Sequence, residues 1–387
     1  MKSEPEIYVS NPQYIKEGVK GFTFYTLKGS HVHENLSRRY RDFDTLRKKM
    51  VERWPGIFIP KLPKKKKIGN KDNKNDKNNK SSIIKADDIN RFLKRICNIK
   101  YLLNSEEMSF FLQNTGNIGK ILDCVKIQNY EDLSRKYSQT FTDYDDNFDT
   151  KFEKDAQDKF EKKLLETQPK LRNFLNLVSA EMERYPEEQE NYSEVINMLS
   201  LYEKEALSNF VNNQDNKLVF FNLKNQELCK YITNTKEQVI NPYNRLYSAL
   251  TEDYLNLEAM IEALQSLKNL QENYNKLVKN LSNINIELSE LQAGKSSVKT
   301  MFKNKEKEIS RLTNEKENLE KNIDDLGNVI KIATFNMQKE INEFKISELD
   351  SYYAELSRIE SDTEKNAKIF DDLWEAIIND KNISEFN

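Results

Sequence analysis

The chain of 387 residues has little glycine and little proline, nine and eight residues respectively, and only three cysteines and two histidines. So few turn-forming residues, beside abundant lysine, glutamate, asparagine and leucine, argue against a turn-rich β protein and favour long helices. The cysteines, Cys97, Cys124 and Cys229, stand far apart and do not pair at the spacing of a metal site. We therefore expect reduced cysteines, as in the cytosol.

The sequence also lacks long apolar runs. No stretch approaches the ~20 apolar residues of a membrane span, and residues 1–6 do not resemble a signal peptide. There is no glycine-rich phosphate loop, no nucleophile motif and no histidine–carboxylate arrangement at metal spacing. The sequence therefore predicts a protein that is not an enzyme, uses no cofactor or metal, and contacts membranes only peripherally.

The formal net charge of −2 conceals an uneven distribution. Residues 1–120 carry 26 basic and 13 acidic residues, whereas the remainder carries 35 and 50. A basic module is thus joined to an acidic one. We expect an anionic partner for the basic part, either a phosphoinositide membrane or, as the weaker alternative, nucleic acid.

The first 115 residues read as a small α+β domain. Alternation and β-branched or aromatic content predict strands at residues 7–9, 19–27 and 32–40. Helical spacing follows at residues 41–53, again at 87–99, and from about residue 105. Between them, residues 61–80 contain nine lysines and almost no apolar side chains, so we expect a mobile loop there. This loop is either a solvated insertion or a segment drawn onto an anionic bilayer.

Two short motifs in this region suit a phosphorylated, sugar-like headgroup. Residues 37–43, Ser-Arg-Arg-Tyr-Arg-Asp-Phe, place arginine beside an aromatic ring. Residues 60–63, Pro-Lys-Leu-Pro, lead into four consecutive lysines. A guanidinium binds phosphate as a planar fork, a tyrosine ring offers a flat face, and a lysine offers a point charge. The prolines fix the backbone and keep the approach to the lysines extended.

This order of motifs, over roughly residues 4–115, resembles the PX (phox-homology) domain. The resemblance implies binding of phosphatidylinositol 3-phosphate in a basic pocket. By the same resemblance, Arg39 contacts the 3-phosphate, Tyr40 stacks on the inositol ring and Lys65 contacts the 1-phosphate. Lys85 falls where the family usually has an arginine that holds the inositol hydroxyls.

Three departures from the family pattern bear on headgroup choice. Lys85 cannot make a bidentate contact, Lys61 replaces the usual second proline, and Arg41 stands where serine is common. We include Arg41 among the candidate lipid-binding residues. Other roles stay open, because Arg39 is also compatible with a surface position and Tyr40 with the core. The neighbours of Lys65 compete for its role, and they are Lys64, Lys66 and Lys67.

Residues 116–150 read as a linker between the two parts of the chain. They carry a short apolar stripe at helical spacing, made of Ile118, Ile121, Leu122 and Val125. Such a helix either inserts into a bilayer interface or packs as a strut between domains. We favour the strut, because the polar face has little lysine.

Residues 151–387 are helical almost throughout. A coiled-coil-like seam runs from Leu250 to Leu291, and a second long stripe begins at Ile309. We expect Pro169 and Pro186 to interrupt or kink the first helix. The pattern predicts three long helices in an antiparallel bundle, whose excess apolar surface is buried in a dimer.

A bundle of this length after a PX domain resembles the BAR domain of sorting nexins. The resemblance implies a crescent-shaped homo- or heterodimer with a second sorting nexin-like chain, which senses or stabilises curved endosomal membrane. Cargo or coat proteins are then the expected partners. A basic and apolar cluster near a predicted helix break at Gly294 is either a membrane-touching tip or a solvated helix start. Its members are Lys295, Lys299, Met301, Phe302 and Lys303.

Two other functions are compatible with parts of the sequence. One is a PX-targeted coiled-coil adaptor that recruits partners without remodelling membrane. The other is a basic nucleic-acid binder with a dimerising coiled coil. The nucleic-acid alternative explains the charge split but does not explain Tyr40 or the Pro60–Pro63 arrangement. We therefore expect no nucleic-acid partner.

Overall fold

The structure, a computed structural model, describes residues 7–17, 20–63, 74–125, 128–144, 150–207, 225–293 and 305–378. The strands are β1 (Ile7–Glu17), β2 (Lys20–Gly29) and β3 (Ser37–Arg39). The shorter helices of the first half are α1 (Tyr40–Arg53), α2 (Lys74–Asn98), α3 (Lys100–Leu103), α4 (Glu106–Gln113), α5 (Ile118–Asp123) and α6 (Tyr130–Thr140). The rest are α7 (Thr150–Glu205), α8 (Asn225–Gln238), α9 (Pro242–Gln292) and α10 (Lys305–Ile378). A small sheet followed by long helices confirms the predicted fold class.

The three strands form an antiparallel sheet in the order β1-β2-β3. We predicted that β1 would end at residues 10–12, but it runs on to Glu17. The strand passes Pro12 because the β1–β2 register shifts between Ser10 and Gln13, and such an irregularity tolerates a residue without an N–H. β3 is shorter than predicted, because His31 and Asn35 adopt positive φ angles and turn the chain before it.

Helix α1 has the predicted core, in which Phe43, Leu46 and Met50 are fully buried. Helix α2 begins at Lys74, so the expectation of a loop through residue 80 is wrong from that position onward. Lysine is a good helix former, and a helix anchored at its far end by packing can extend through polar sequence. The anchor is the buried face of α2, made of Ile89, Phe92, Leu93 and Ile96.

The chain forms two compact units, each built from segments that are distant in sequence. The first unit comprises Met1–Glu166 and Leu255–Glu343, and the second comprises Thr167–Tyr254 and Phe344–Asn387. In the first unit, α5 packs against α1 and α4 and buries Ile118 and Leu122. The apolar stripe of α5 therefore faces protein in this structure.

Aromatic packing holds the turn after α1 in the first unit. The ring of Trp54 lies 5.3 Å from that of Tyr101 and 6.0 Å from that of Tyr137, measured between centroids. The hydroxyl of Tyr137 also donates a 2.6 Å hydrogen bond to the carbonyl of Pro55. These contacts fix the start of the proline-containing chain that follows α1.

The second unit has its own apolar core, formed by Ile196, Ile232, Leu373 and Ile377. Helix α7 continues through Pro169 and Pro186, so of the two expected effects, interruption or a kink, the interruption does not occur. Proline cannot bond to the carbonyl four residues earlier, which for Pro186 belongs to Met182. That carbonyl accepts a 3.0 Å hydrogen bond from the side-chain amide of Asn241 instead. A distant side chain thus replaces the missing helix bond.

Within the described ranges, no helix combines the length and the apolar character that crossing a membrane requires. The same residues contain no cluster of side chains suited to hold a metal ion.

Candidate functional site

Arg38, in the middle of β3, is a buried structural residue. Its side chain is 2% exposed and donates hydrogen bonds to the carbonyl of Phe111, at 2.7 Å, and to the carbonyl of Asn114. Burial lowers the pKa of Arg38, while nearby Asp42 acts in the opposite direction. Both bonds come from one terminal nitrogen, and the Nε has no hydrogen-bond partner among the described residues, so it is burial that keeps Arg38 away from a ligand.

Arg39, the next residue, lies in a different setting. It is half-buried, and its guanidinium carbon lies 5.1 Å from the ring centroid of Phe22 and 5.8 Å from that of Phe24. Its backbone N–H donates to a carboxylate oxygen of Asp42 at 2.8 Å and so supports the start of α1. Among the described residues, no carboxylate pairs with the Arg39 side chain. Its guanidinium therefore rests on an aromatic platform with its donors available.

Tyr40 is the first residue of α1, and its hydroxyl donates a hydrogen bond to the carbonyl of Pro63. Burial raises the pKa of Tyr40, with a further contribution from Asp44, so the hydroxyl stays protonated and can donate. This bond ties the end of the proline-containing chain to the residue beside Arg39. Arg41, one residue further along, is exposed.

Lys61 is engaged with helix α9 of the same unit. Its ammonium nitrogen lies 3.1 Å from a carboxylate oxygen of Glu258 and 3.7 Å from one of Glu262. The charge that distinguishes this sequence at position 61 is therefore balanced within the protein. It does not add a free cation to the site.

Residues 27–115 match the family model of the PX domain. The chain also matches a solved structure described as the cryo-EM structure of the SNX-BAR Mvp1 tetramer, with a TM-score of 0.55 at 16% sequence identity. That match covers 97% of this chain and 100% of the other. This chain has the fold of a PX-BAR sorting nexin. Among curated proteins, none matches its sequence.

Within this PX domain, the structure brings together Arg39, Tyr40 and the end of the proline-containing chain at Pro63. Lys85 lies in α2, and its side chain is outside the described part of the structure. The lysine run that was predicted to contact phosphate or membrane also lies outside the described residues, and comprises Lys64, Lys65, Lys66 and Lys67. The same holds for the second predicted membrane-contact group, Lys295, Lys299, Met301, Phe302 and Lys303.

Sequence reasoning did not assign the aromatic platform under Arg39 or the structural role of Arg38. A signal for the platform existed, because Phe22 and Phe24 share one parity on a predicted strand and therefore one face of the sheet. Alternation along β3 also separates Arg38 from Arg39, since neighbouring residues in a strand face opposite sides. The PX pattern alone singled out Arg39, and the geometry supplies the physical reason for the distinction.

Proposed function

We propose that this protein is a peripheral membrane protein that binds phosphatidylinositol 3-phosphate through its PX domain. As a dimer, it senses or stabilises curved membrane on the cytosolic face of endosomes during cargo sorting. Arg39 receives the 3-phosphate, the Tyr40 ring stacks on the inositol, and basic residues of the lysine run contact the 1-phosphate. The function requires no catalytic step.

The observation that carries this proposal is the environment of the Arg39 guanidinium. The Arg39 guanidinium lies beside two phenylalanine rings and forms no ion pair with a carboxylate of the described residues. The neighbouring Arg38 differs, because it is buried and one of its terminal nitrogens donates to backbone carbonyls of the fold. A phosphate is the ligand that a guanidinium fork binds best, through paired charge-assisted hydrogen bonds.

Dimerisation is supported by exposed apolar side chains in the second unit. On α7, Val195, Met198 and Tyr202 are 57–59% exposed, and on α10, Ile346 and Tyr353 are 65% and 61% exposed. Val195, Met198 and Tyr202 are spaced three and four residues apart on one helix face, and an exposed apolar face of this kind is typical of an interaction surface. We therefore propose that a second copy, or a related chain, covers these side chains.

The lipid assignment is tested by co-sedimentation of the full chain with vesicles that contain phosphatidylinositol 3-phosphate, compared with vesicles of equal charge that lack it. Arg39→Ala is expected to lower the phosphoinositide affinity by about tenfold or more, because charge-assisted hydrogen bonds are lost. Arg135→Ala is the matched control, since this exposed arginine of α6 already pairs with Asp132. Equal effects of the two changes would remove the basis for the proposed pocket.

Membrane shaping is tested separately, by electron microscopy of liposomes incubated with the protein. Tubules are expected with the natural chain, and Met198→Glu with Tyr202→Glu should abolish them together with dimers in analytical ultracentrifugation. Retained lipid binding without any tubules would instead favour the adaptor function.

A further inference from the structure

The chain between α1 and the lysine run is held by residues of α1 and α9. We call residues 54–63 the proline segment. It has no regular secondary structure, yet Ile57, Ile59 and Leu62 are buried. Its position sets where the lysine run begins, so the contacts that fix it bear directly on the lipid site.

Arg47 of α1 braces the middle of the proline segment. Its side chain donates hydrogen bonds to the carbonyl of Pro60, at 3.0 Å, and to that of Ile59, at 3.4 Å. The same guanidinium forms a 2.6 Å ion pair with Glu262 of α9. One arginine therefore links two backbone carbonyls of the segment to a carboxylate that lies 215 residues away in sequence.

Lys61 adds a second link to α9. The side chain of Glu258 is only 11% exposed, and the Lys61 ammonium group lies 3.1 Å from its carboxylate. A carboxylate so far out of water requires a charged or hydrogen-bonding partner. The Lys61–Glu258 pair therefore has two effects. It balances the charge of a buried carboxylate in α9, and it neutralises a positive charge of the proline segment.

The third link is at the start of the segment. The backbone N–H of Gly56 donates a 3.0 Å hydrogen bond to the hydroxyl of Ser266. Gly56 has a φ of +77°, and a Cβ there would lie 3.3 Å from side-chain atoms of Leu267 and Leu270. The segment is thus seated closely against α9.

Glu258, Glu262 and Ser266 are spaced four residues apart, so they form one stripe along a single face of α9. We propose that this stripe is a positioning element of the lipid site, and that the headgroup selectivity of the PX domain depends on it. The inference rests on the proposed function. The stripe holds the proline segment from one side, while the Tyr40 hydroxyl holds the carbonyl of Pro63 at the other end.

The physical reason for the dependence is twofold. Free positive charge beside the pocket attracts any anionic lipid, whatever its headgroup, whereas a fixed pocket recognises the arrangement of phosphates. Glu258 suppresses the first effect by pairing with Lys61, and all three stripe residues support the second by fixing the backbone. Loss of the stripe should therefore lower selectivity, even where total membrane binding is maintained.

The test is a double-mutant cycle on the full chain, with Lys61→Met, Glu258→Gln and the combined variant. The measured quantity is the selectivity ratio: the affinity for vesicles containing phosphatidylinositol 3-phosphate, divided by that for phosphatidylserine vesicles of equal charge. Each single change is expected to lower the ratio by roughly threefold or more, and the combined variant to lose little beyond one single change, because both remove the same ion pair. Losses that multiply, or an unchanged ratio, would overturn the inference.

Glu272→Gln is the matched control, because this exposed glutamate of α9 loses the same charge outside the stripe, and its ratio should equal that of the natural chain. Thermal unfolding of every variant confirms that folded proteins are compared. Arg39→Ala separates the two proposals. If the natural chain shows no Arg39-dependent preference for phosphatidylinositol 3-phosphate, the proposed function is refuted, and the inference that rests on it is refuted as well. If that preference exists while the cycle is additive, only the role of the stripe is refuted.

Discussion

The guanidinium of Arg38 lies 5.1 Å from the ring centroid of Phe111 and donates a 2.7 Å hydrogen bond to the carbonyl of the same residue. This double contact joins β3 to α4 inside the PX domain. Arg39, on the opposite side of the strand, lies at the same distance from the ring centroid of Phe22, but its side chain donates no hydrogen bond to a carbonyl among the described residues. Two adjacent arginines therefore have separable roles.

Arg38→Ala is expected to lower the free energy of unfolding by about 2–3 kcal/mol, because buried carbonyls lose a charged donor. Arg39→Ala should lower it by less, about 1 kcal/mol or below, because only the contacts with two half-buried rings are lost. Urea unfolding followed by circular dichroism measures both. Similar destabilisation by the two variants would show that Arg39 is also structural.

Tyr40→Phe tests the tie between the aromatic residue and the proline segment. It keeps the ring but removes the hydroxyl that donates to the carbonyl of Pro63. One net hydrogen bond contributes about 1 kcal/mol, so the affinity for phosphatidylinositol 3-phosphate should fall by roughly fivefold. Tyr40→Ala should fall further, because the stacking face is lost as well. A Tyr40→Phe affinity equal to that of the natural chain would mean that the tie does not matter for binding.

Gly56→Ala tests the seat of the proline segment on α9. At a φ of +77°, an alanine is strained by about 1–2 kcal/mol, and its Cβ also crowds Leu267 and Leu270. We expect a lower melting temperature and a lower selectivity ratio than in the natural chain. Gly119→Ala is a suitable control, since this glycine in α5 has no positive φ. An equal fall in melting temperature and selectivity ratio in both variants would show that the effect is not specific to the contact between the proline segment and α9.

Glu340 predicts a pH-dependent stability. Burial raises the pKa of this carboxyl to about 7, with Glu343 adding to the effect and Lys339 opposing it. The folded chain therefore keeps a proton that the unfolded chain releases near its ordinary pKa of 4.5, so stability falls as the pH rises from about 4.5 to 7.

Glu340→Gln removes this penalty. The variant should be more stable than the natural chain at pH 8, by on the order of 1–3 kcal/mol, and similar to it at pH 4.5. Urea unfolding at the two pH values measures the difference. A stability gain that is the same at both would assign the effect to packing and not to the proton.

The local parts of this fold follow from local patterns. Phe43, Leu46 and Met50 recur at helical spacing, and they are the buried face of α1. The order of the arginine–tyrosine motif and the prolines likewise pointed to the PX domain, which the match over residues 27–115 confirms. Such features depend on neighbours in sequence, and sequence spacing reports them.

The partners of Arg47 and Lys61 could not be predicted in this way. Periodicity shows that α9 has an apolar face, but it does not show which of many charged residues meets a lysine nearly 200 positions away. The predicted start of α2 and the predicted end of β1 were wrong for a related reason. In α2, packing at one end outweighs the preference of individual residues, and in β1 a register shift does so.

The hydrogen bond between Met182 and Asn241 has a consequence for the order of events during synthesis. Pro186 of α7 cannot donate to the carbonyl of Met182, and the side-chain amide of Asn241 donates to it instead. Asn241 leaves the ribosome 59 residues after Met182. At about 5–20 residues per second, that donor arrives roughly 3 to 12 s later. Until then the carbonyl of Met182 lacks the side-chain amide that replaces its helix hydrogen bond. The middle of α7 thus becomes complete only when the start of α9 has been translated.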